Sequence, residues 1–148
     1  MDIRELPPGE TVLAYPTLAE LRAGKPCIAT AETFVTTVDT RQRLEGYRLV
    51  ASFAPGVTAA VAVAGVRRLH ALAWDDYLYV DDLGTLSAFR GRGHAAALFT
   101  WLLIEAQHLG CTQIHLDSEL QRHAAHRLYL RQGFEITAHH FERTFDKI

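Results

Sequence analysis

The residues with the clearest chemical meaning lie between positions 81 and 95. Asp81 and Asp82 form a carboxylate pair, and shortly after them comes Arg90-Gly91-Arg92-Gly93-His94-Ala95. Gly91 and Gly93 let the backbone turn tightly and approach a ligand with no Cβ in the way. A helical pattern follows, so the loop meets the unpaired N–H groups and positive dipole end of a helix N-terminus. Arg90 and Arg92 can add charge-assisted contacts to the same anion. The chemistry is phosphate binding, although glycine-rich turns also join strands to helices without a ligand. The carboxylates supply the complementary property, since they accept a proton or attract a cation. Consecutive strand residues point to opposite faces, which leaves one of the two looking into any given cleft. Asp81 is then expected to share its face with Leu83 and Thr85.

The chain has eight histidines. His123 and His126 are three apart on a helical stretch and share a face, and His139 and His140 are adjacent. No cysteine or third ligand stands at a recognisable spacing, so no metal is expected. His115 shares a strand face with Asp117 and is placed to relay a proton or contact a substrate. Cys27 and Cys111 lack the spacing of a metal knuckle or redox pair and read as buried free thiols.

These groups need elements to position them. Ile3 to Leu6 reads as a short strand, and Thr11 to Ala23 has helical character interrupted at Pro16. Thr30 is an N-cap for a helix from Ala31 to about Arg43, stopped by Gly46. Tyr47–Phe53 and Thr58–Val66 read as a hairpin around Ala54-Pro55-Gly56, with a third strand at Tyr77–Leu86. The longest helix runs from about Gly93 to Leu109, with an apolar stripe of Ala95, Leu98, Leu102, Ala106 and Leu109. Ile114–Asp117 is a strand, Arg122–Gln132 a helix, and Phe134–Thr137 and His140–Phe145 are strand-like. The order predicts one α+β domain over residues 1–148, with a mostly antiparallel sheet, about four flanking helices and a parallel step across the long helix.

These segments together resemble the GCN5-related N-acetyltransferase (GNAT) superfamily. Arg90, Gly93 and Ala95 match its loop pattern Gln/Arg-x-x-Gly-x-Gly/Ala. Ala125-His126-Arg127-Leu128-Tyr129 followed by Gly133-Phe134 matches its "Ala-x-x-Leu-Tyr, then Gly-Phe" segment. The resemblance implies acetyl-CoA as co-substrate, with its pyrophosphate on backbone N–H groups from Arg90 through Gly91, Arg92, Gly93 and His94 to Ala95. The pantetheine arm would pair with backbone near Leu83 and Thr85, in a wedge opened against strand 114–117. Tyr129 would be the general acid for the departing thiolate. Gln121 stands where the family often has Asn and is carried over as a cofactor contact, and Ser87 replaces a frequent Pro. The segment Leu78–Leu83 resembles the corresponding strand of polyamine acetyltransferases, which aligns Asp81 with their proposed base. Asp82 and His115 would then meet the acceptor.

The implied function is transfer of an acetyl group from acetyl-CoA to a primary amine, of a small molecule or a lysine-like side chain. The acidic group Asp75, Asp76, Asp81 and Asp82 suits a cationic acceptor. The alternative is a non-catalytic acyl-CoA-binding sensor or interaction module with the same fold. With 148 residues, 22% charged, and a net charge of −2, the chain carries no positive field for nucleic acid. The longest apolar run, Val57–Val66, is far short of the ~20 residues that span a bilayer. The expected setting is cytoplasmic, without nucleic acid or membrane as partner, and homodimers are common in the family.

Overall fold

The computed structural model describes residues 1–147. Two compact units divide the chain, Met1–Leu116 and the segment from Asp117 onward. In the first unit a five-stranded sheet has the order β1-β2-β3-β4-β5. The strands are β1 (Asp2–Leu6), β2 (Arg48–Phe53), β3 (Ala62–Ala71), β4 (Asp75–Thr85) and β5 (Gln113–Leu116). Pairing is antiparallel from β1 to β4 and parallel between β4 and β5. The crossover between the parallel strands carries helix α3 (His94–His108), whereas α1 (Tyr15–Leu21) and α2 (Ala31–Thr37) lie in the connection from β1 to β2. The mixed, mostly antiparallel sheet read from the sequence is what forms.

Alternation along the strands gives the sheet two buried faces. Leu49, Ala51, Phe53 and Val63 share one core cluster with Ala14, Leu18, Phe34 and Val38 from the α1–α2 side. The intervening Val50, Ala64 and Val66 are equally buried and turn to α3, whose Leu98, Phe99, Leu102 and Ala106 are buried in return. Two polar contacts mark this second face. Ser52 Oγ lies 2.7 Å from His94 Nδ1, and Arg48 donates to Glu105 at 3.0 Å. Leu98 and Leu102 are fully buried, each stabilising the face by about 1.5–3 kcal/mol.

Local departures from the sequence reading have physical causes. Pro16 sits in the first turn of α1, where its missing N–H costs no helical hydrogen bond. The preceding residues Thr11–Ala14 form a separate 3-10 turn. Thr30 does cap α2, accepting from Thr33 N at 3.0 Å; past Thr37 the helix loosens into a π turn, Val38–Gln42. Strand β3 begins at Ala62 rather than Thr58, and just before it Ala60 N donates to Leu13 O at 3.0 Å instead of to a neighbouring strand. Cys111 is buried as expected, but Cys27 is exposed, since its 3-10 turn gives only Ile28 to the core.

The second unit contains α4 (His123–Arg131). No strand forms among residues 134–147, contrary to the sequence reading, and Ile136, Phe141 and Phe145 are 81%, 93% and 81% exposed. An apolar pattern makes a strand only when a ladder completes it. The link Ala138-His139 has neither the Asn nor the Gly that a two-residue hairpin turn requires.

Candidate active site

The carboxylate pair lies on an irregular part of β4. Gly65 of β3 is opposite Asp82, whereas the next residue, Val66, is opposite Val80. Asp81 is therefore the extra residue of a β-bulge, and the alternation of side chains slips by one at that point. Leu78, Val80 and Leu83 are buried on the α3 face, Leu83 paired with Ala64. Asp81, Asp82 and Gly84 turn toward α1. The expectation that Asp81 shares a face with Leu83 and Thr85, and that one carboxylate is turned away, is thus corrected. A bulge is what allows two consecutive aspartates on one face.

Both carboxylates are held by cations. Asp81 accepts two parallel bonds from Arg67 of β3, Nε–Oδ2 at 2.7 Å and Nη2–Oδ1 at 2.8 Å. Arg22, just past α1, donates from Nε to Asp82 Oδ1 and from Nη2 to the Asp81 carbonyl, each at 2.9 Å. Tyr47 Oη donates to Asp82 Oδ2 at 2.7 Å. Burial, and next the charge of Asp82, hold the Tyr47 phenol well above its ordinary range, so it remains a donor. With two carboxylates and two guanidiniums the cluster is close to neutral. The Asp81 and Asp82 side chains keep 23% and 16% exposure, and each oxygen has a further lone pair.

Gly65 makes room for this arrangement. A Cβ there would lie 1.9 Å from Tyr47 Oη. A glycine within a valine- and alanine-rich strand is the signal that marks such a close approach. Arg22, Tyr47 and Arg67 had no comparable signal, because their partners are distant in sequence or cross the sheet.

The loop that follows β4 is built differently. Residues Ser87–Phe89 make a 3-10 turn, then Gly91 and Gly93 adopt φ of 74° and 86°, values that other residues rarely take. Nothing lies within 4 Å of a Cβ placed at either glycine, so backbone shape rather than packing requires them. Ala97 N donates to Gly93 O at 3.0 Å, which leaves the amides of His94 and Ala95 ahead of the helical ladder. Arg90 is held loosely, Nε to Thr85 O and Nη2 to Glu20 Oε1, both at 3.3 Å. Arg92 lies over the Phe89 ring at 5.1 Å. An exposed turn with open amides and two arginines fits the pyrophosphate of a nucleotide cofactor. The His94 side chain points inward to Ser52, which limits its part at the loop to the backbone. Burial pushes its imidazole below the usual histidine range.

Pairing between β4 and β5 ends at Val80 and Leu116. Strand β4 runs on to Thr85, so the stretch through Leu83 and Thr85 has no β5 ladder, the kind of opening expected for an extended arm. His115, opposite Tyr79, stacks on Trp74 at 4.0 Å with Tyr77 edge-on at 5.0 Å. In the second unit Tyr129 is buried with Phe134 edge-on at 6.1 Å, and the exposed Gln121 donates to Glu119. Asp75 and Asp76 begin β4, six and five residues, or about 17–20 Å, from Asp81 at strand rise, so the four aspartates are not one cluster. No group of metal-ligating side chains occurs among the described residues, nor is any helix there long and apolar enough to cross a membrane.

Comparison with known proteins identifies the fold and the family. The family model of the acetyltransferase (GNAT) family matches residues 28–134. No curated protein matches the chain. Among solved structures, a putative acetyltransferase from Agrobacterium tumefaciens superposes with a TM-score of 0.82 at 20% identity, over 98% of this chain and 100% of that one. AAC(6')-Iy, in complex with the bisubstrate analog CoA-S-monomethyl-acetylneamine, gives 0.79 at 18% identity, over 99% and 98%. The ribosomal-protein-alanine N-acetyltransferase from Brucella melitensis gives 0.80 at 17% identity, over 98% and 100%. These structures show a common fold. The chain belongs to the acetyltransferase (GNAT) family, which implies acetyl-CoA-dependent acyl transfer.

Proposed function

We propose that this GNAT-family chain is an N-acetyltransferase that moves an acetyl group from acetyl-CoA directly to a primary amine, with Asp81 as general base. The observation that carries the reading is the bulge, which turns Asp81 and Asp82 to one face of β4 shortly before the strand enters the anion loop. Acetyl-CoA, when bound, supplies the thioester. Backbone amides from Arg90 to Ala95 and the Arg90 and Arg92 guanidiniums hold its phosphates, and backbone near Leu83 and Thr85 holds the arm.

An alkyl amine is mostly protonated at pH 7 and must lose a proton before it attacks. Asp81, oriented by the Arg67 pair, takes that proton, directly or through water. It has the larger exposure of the two carboxylates, whereas Asp82 is engaged by both Arg22 and Tyr47 and orients the acceptor's ammonium. His115 adds a polar aromatic contact, and Gln121 a further polar contact to the cofactor. In this scheme Tyr129 donates its phenolic proton to the departing thiolate; Tyr129→Phe then lowers kcat about 10²-fold with little change in KM for acetyl-CoA.

The test is incubation of the purified chain with acetyl-CoA and a panel of small amines and lysine peptides. Free thiol and acetylated product are both followed by mass spectrometry. Acetylation of an amine in proportion to released thiol is the expected result. Tight binding of CoA with no acetyl acceptor in the panel would favour the sensor reading.

A further inference from the structure

We infer that Glu20 is a positioning residue for the anion loop, acting through the backbone N–H of Ser87. Strand β4 ends at Thr85, and Leu86, with φ −53° and ψ 138°, leads into the 3-10 turn Ser87–Phe89. This turn aims the chain into Arg90–Gly93. Its later amides have local partners, Phe89 N on Leu86 O at 2.8 Å and Arg90 N on Ser87 O at 3.4 Å. Its first amide has none from the backbone ladder, as at any helical start. Glu20 fills that place: its Oε1 accepts from Ser87 N at 3.0 Å and also from Ser87 Oγ. The same oxygen takes the longer contact from Arg90.

The anchor is firm because of where Glu20 stands. The next two residues dock the end of α1 on the same strand. Leu21 has its Cβ and a methyl 3.3 Å from the place a Gly84 Cβ would occupy, and Arg22 holds Asp82 and the Asp81 carbonyl. Three consecutive residues thus fix α1 to the bulge, the strand end and the loop entrance. Glu20 has two opposed effects on an anion in the loop. It orders the turn through Ser87, and it competes weakly for Arg90. At 3.3 Å and with the Arg90 side chain 66% exposed, the competition is the smaller effect, so the net action is to favour anion binding.

The inference rests on the acetyltransferase reading for its ligand but not for its geometry, and the experiment separates the two. Hydrogen exchange of the amides from Ala88 to Gly93 is measured on the ligand-free chain, and CoA affinity is measured by calorimetry. Glu20→Ala is expected to speed exchange and weaken CoA about tenfold, the order expected for losing a charge-assisted hydrogen bond. The KM for acetyl-CoA rises while kcat at saturation and the global melting temperature hold. Ser87→Pro supplies the control, because proline has no N–H to satisfy, fixes φ, and is tolerated at a first helical position after an extended residue. In the Glu20→Ala background it restores both slow exchange and CoA affinity to within about twofold of the parent. Unchanged exchange in Glu20→Ala, tighter CoA binding, or failure of Ser87→Pro to restore would overturn the inference. A parent chain that does not bind CoA would instead refute the proposed function, and the exchange measurement would still decide the role of Glu20.

Discussion

Strand β4 carries the dipeptide Asp-Asp twice, at Asp75–Asp76 where it begins and at Asp81–Asp82 near its end. The first pair lies at a turn, with Asp75 at φ 55°. Asp76 is 41% exposed and makes long contacts, 3.4 Å to Arg68 and 3.1 Å to His70. In the second pair Asp81 accepts a bidentate guanidinium, and Asp82 a guanidinium and a buried phenol. Side chains of the same type, on the same strand, thus have different capabilities. What separates them is the bulge and Gly65, which set two carboxylates side by side on one face and admit Tyr47 between sheet and helix. Carboxylates become a site when their neighbours hold them in one geometry.

Replacing one member of each pair by its amide gives the widest contrast. Asp81→Asn is expected to lower kcat at pH 7 by about 10²-fold, the scale of a lost general base, in a steady-state assay on a reactive amine. Next in size is Gly65→Ala, which drives a methyl into Tyr47 and should cost about 1–3 kcal/mol of stability as overpacking does. Denaturant titration reads the loss, and Tyr47→Phe in the same background should recover part of it by withdrawing the clashing oxygen. Smallest is Asp76→Asn, for which activity is expected to stay at the parent level. The hydrogen bond from His70, with Arg68 adding its charge, lowers the Asp76 carboxyl below its usual range. A lowered carboxylate adds stability above its unfolded value near ~3.9, and that stability is lost as pH falls through the folded value. Parent and Asp76→Asn melting temperatures should therefore differ slightly at neutral pH and low salt, and converge in acid or high salt.

The acidic residues show how far the sequence could be read. Runs of Val, Ala and aromatic residues bounded by turn residues marked β2 and β4, and Thr30 and the glycines marked helix ends, because those signals are local. Arg90 to Ala95 was legible for the same reason: positive φ values and a helix start are written within six consecutive residues. The bulge was not read, since a one-residue slip leaves no mark in β4 itself and shows only in the ladder with β3. Its trace is Gly65, alone among Val and Ala. The partners Arg22, Tyr47 and Arg67 depend on contacts across 14 to 60 residues of chain, which periodicity does not carry. The opposite failure occurred at Phe134–Thr137 and His140–Phe145, where an apolar pattern suggested strands that no ladder completes among the described residues. The glycine–arginine loop was a local problem, and the carboxylate cluster a tertiary one.

The pH–rate profile of the parent chain beside Asp81→Asn, on one amine found in the acceptor panel, tests the central claim most directly. If Asp81 removes the ammonium proton, the variant is slow near pH 7. Its deficit then narrows as pH rises toward the amine's own pKa, because solvent takes over the deprotonation. A variant that matches the parent at every pH would remove Asp81 from the mechanism, and a deficit unchanged across the range would leave it a structural role alone.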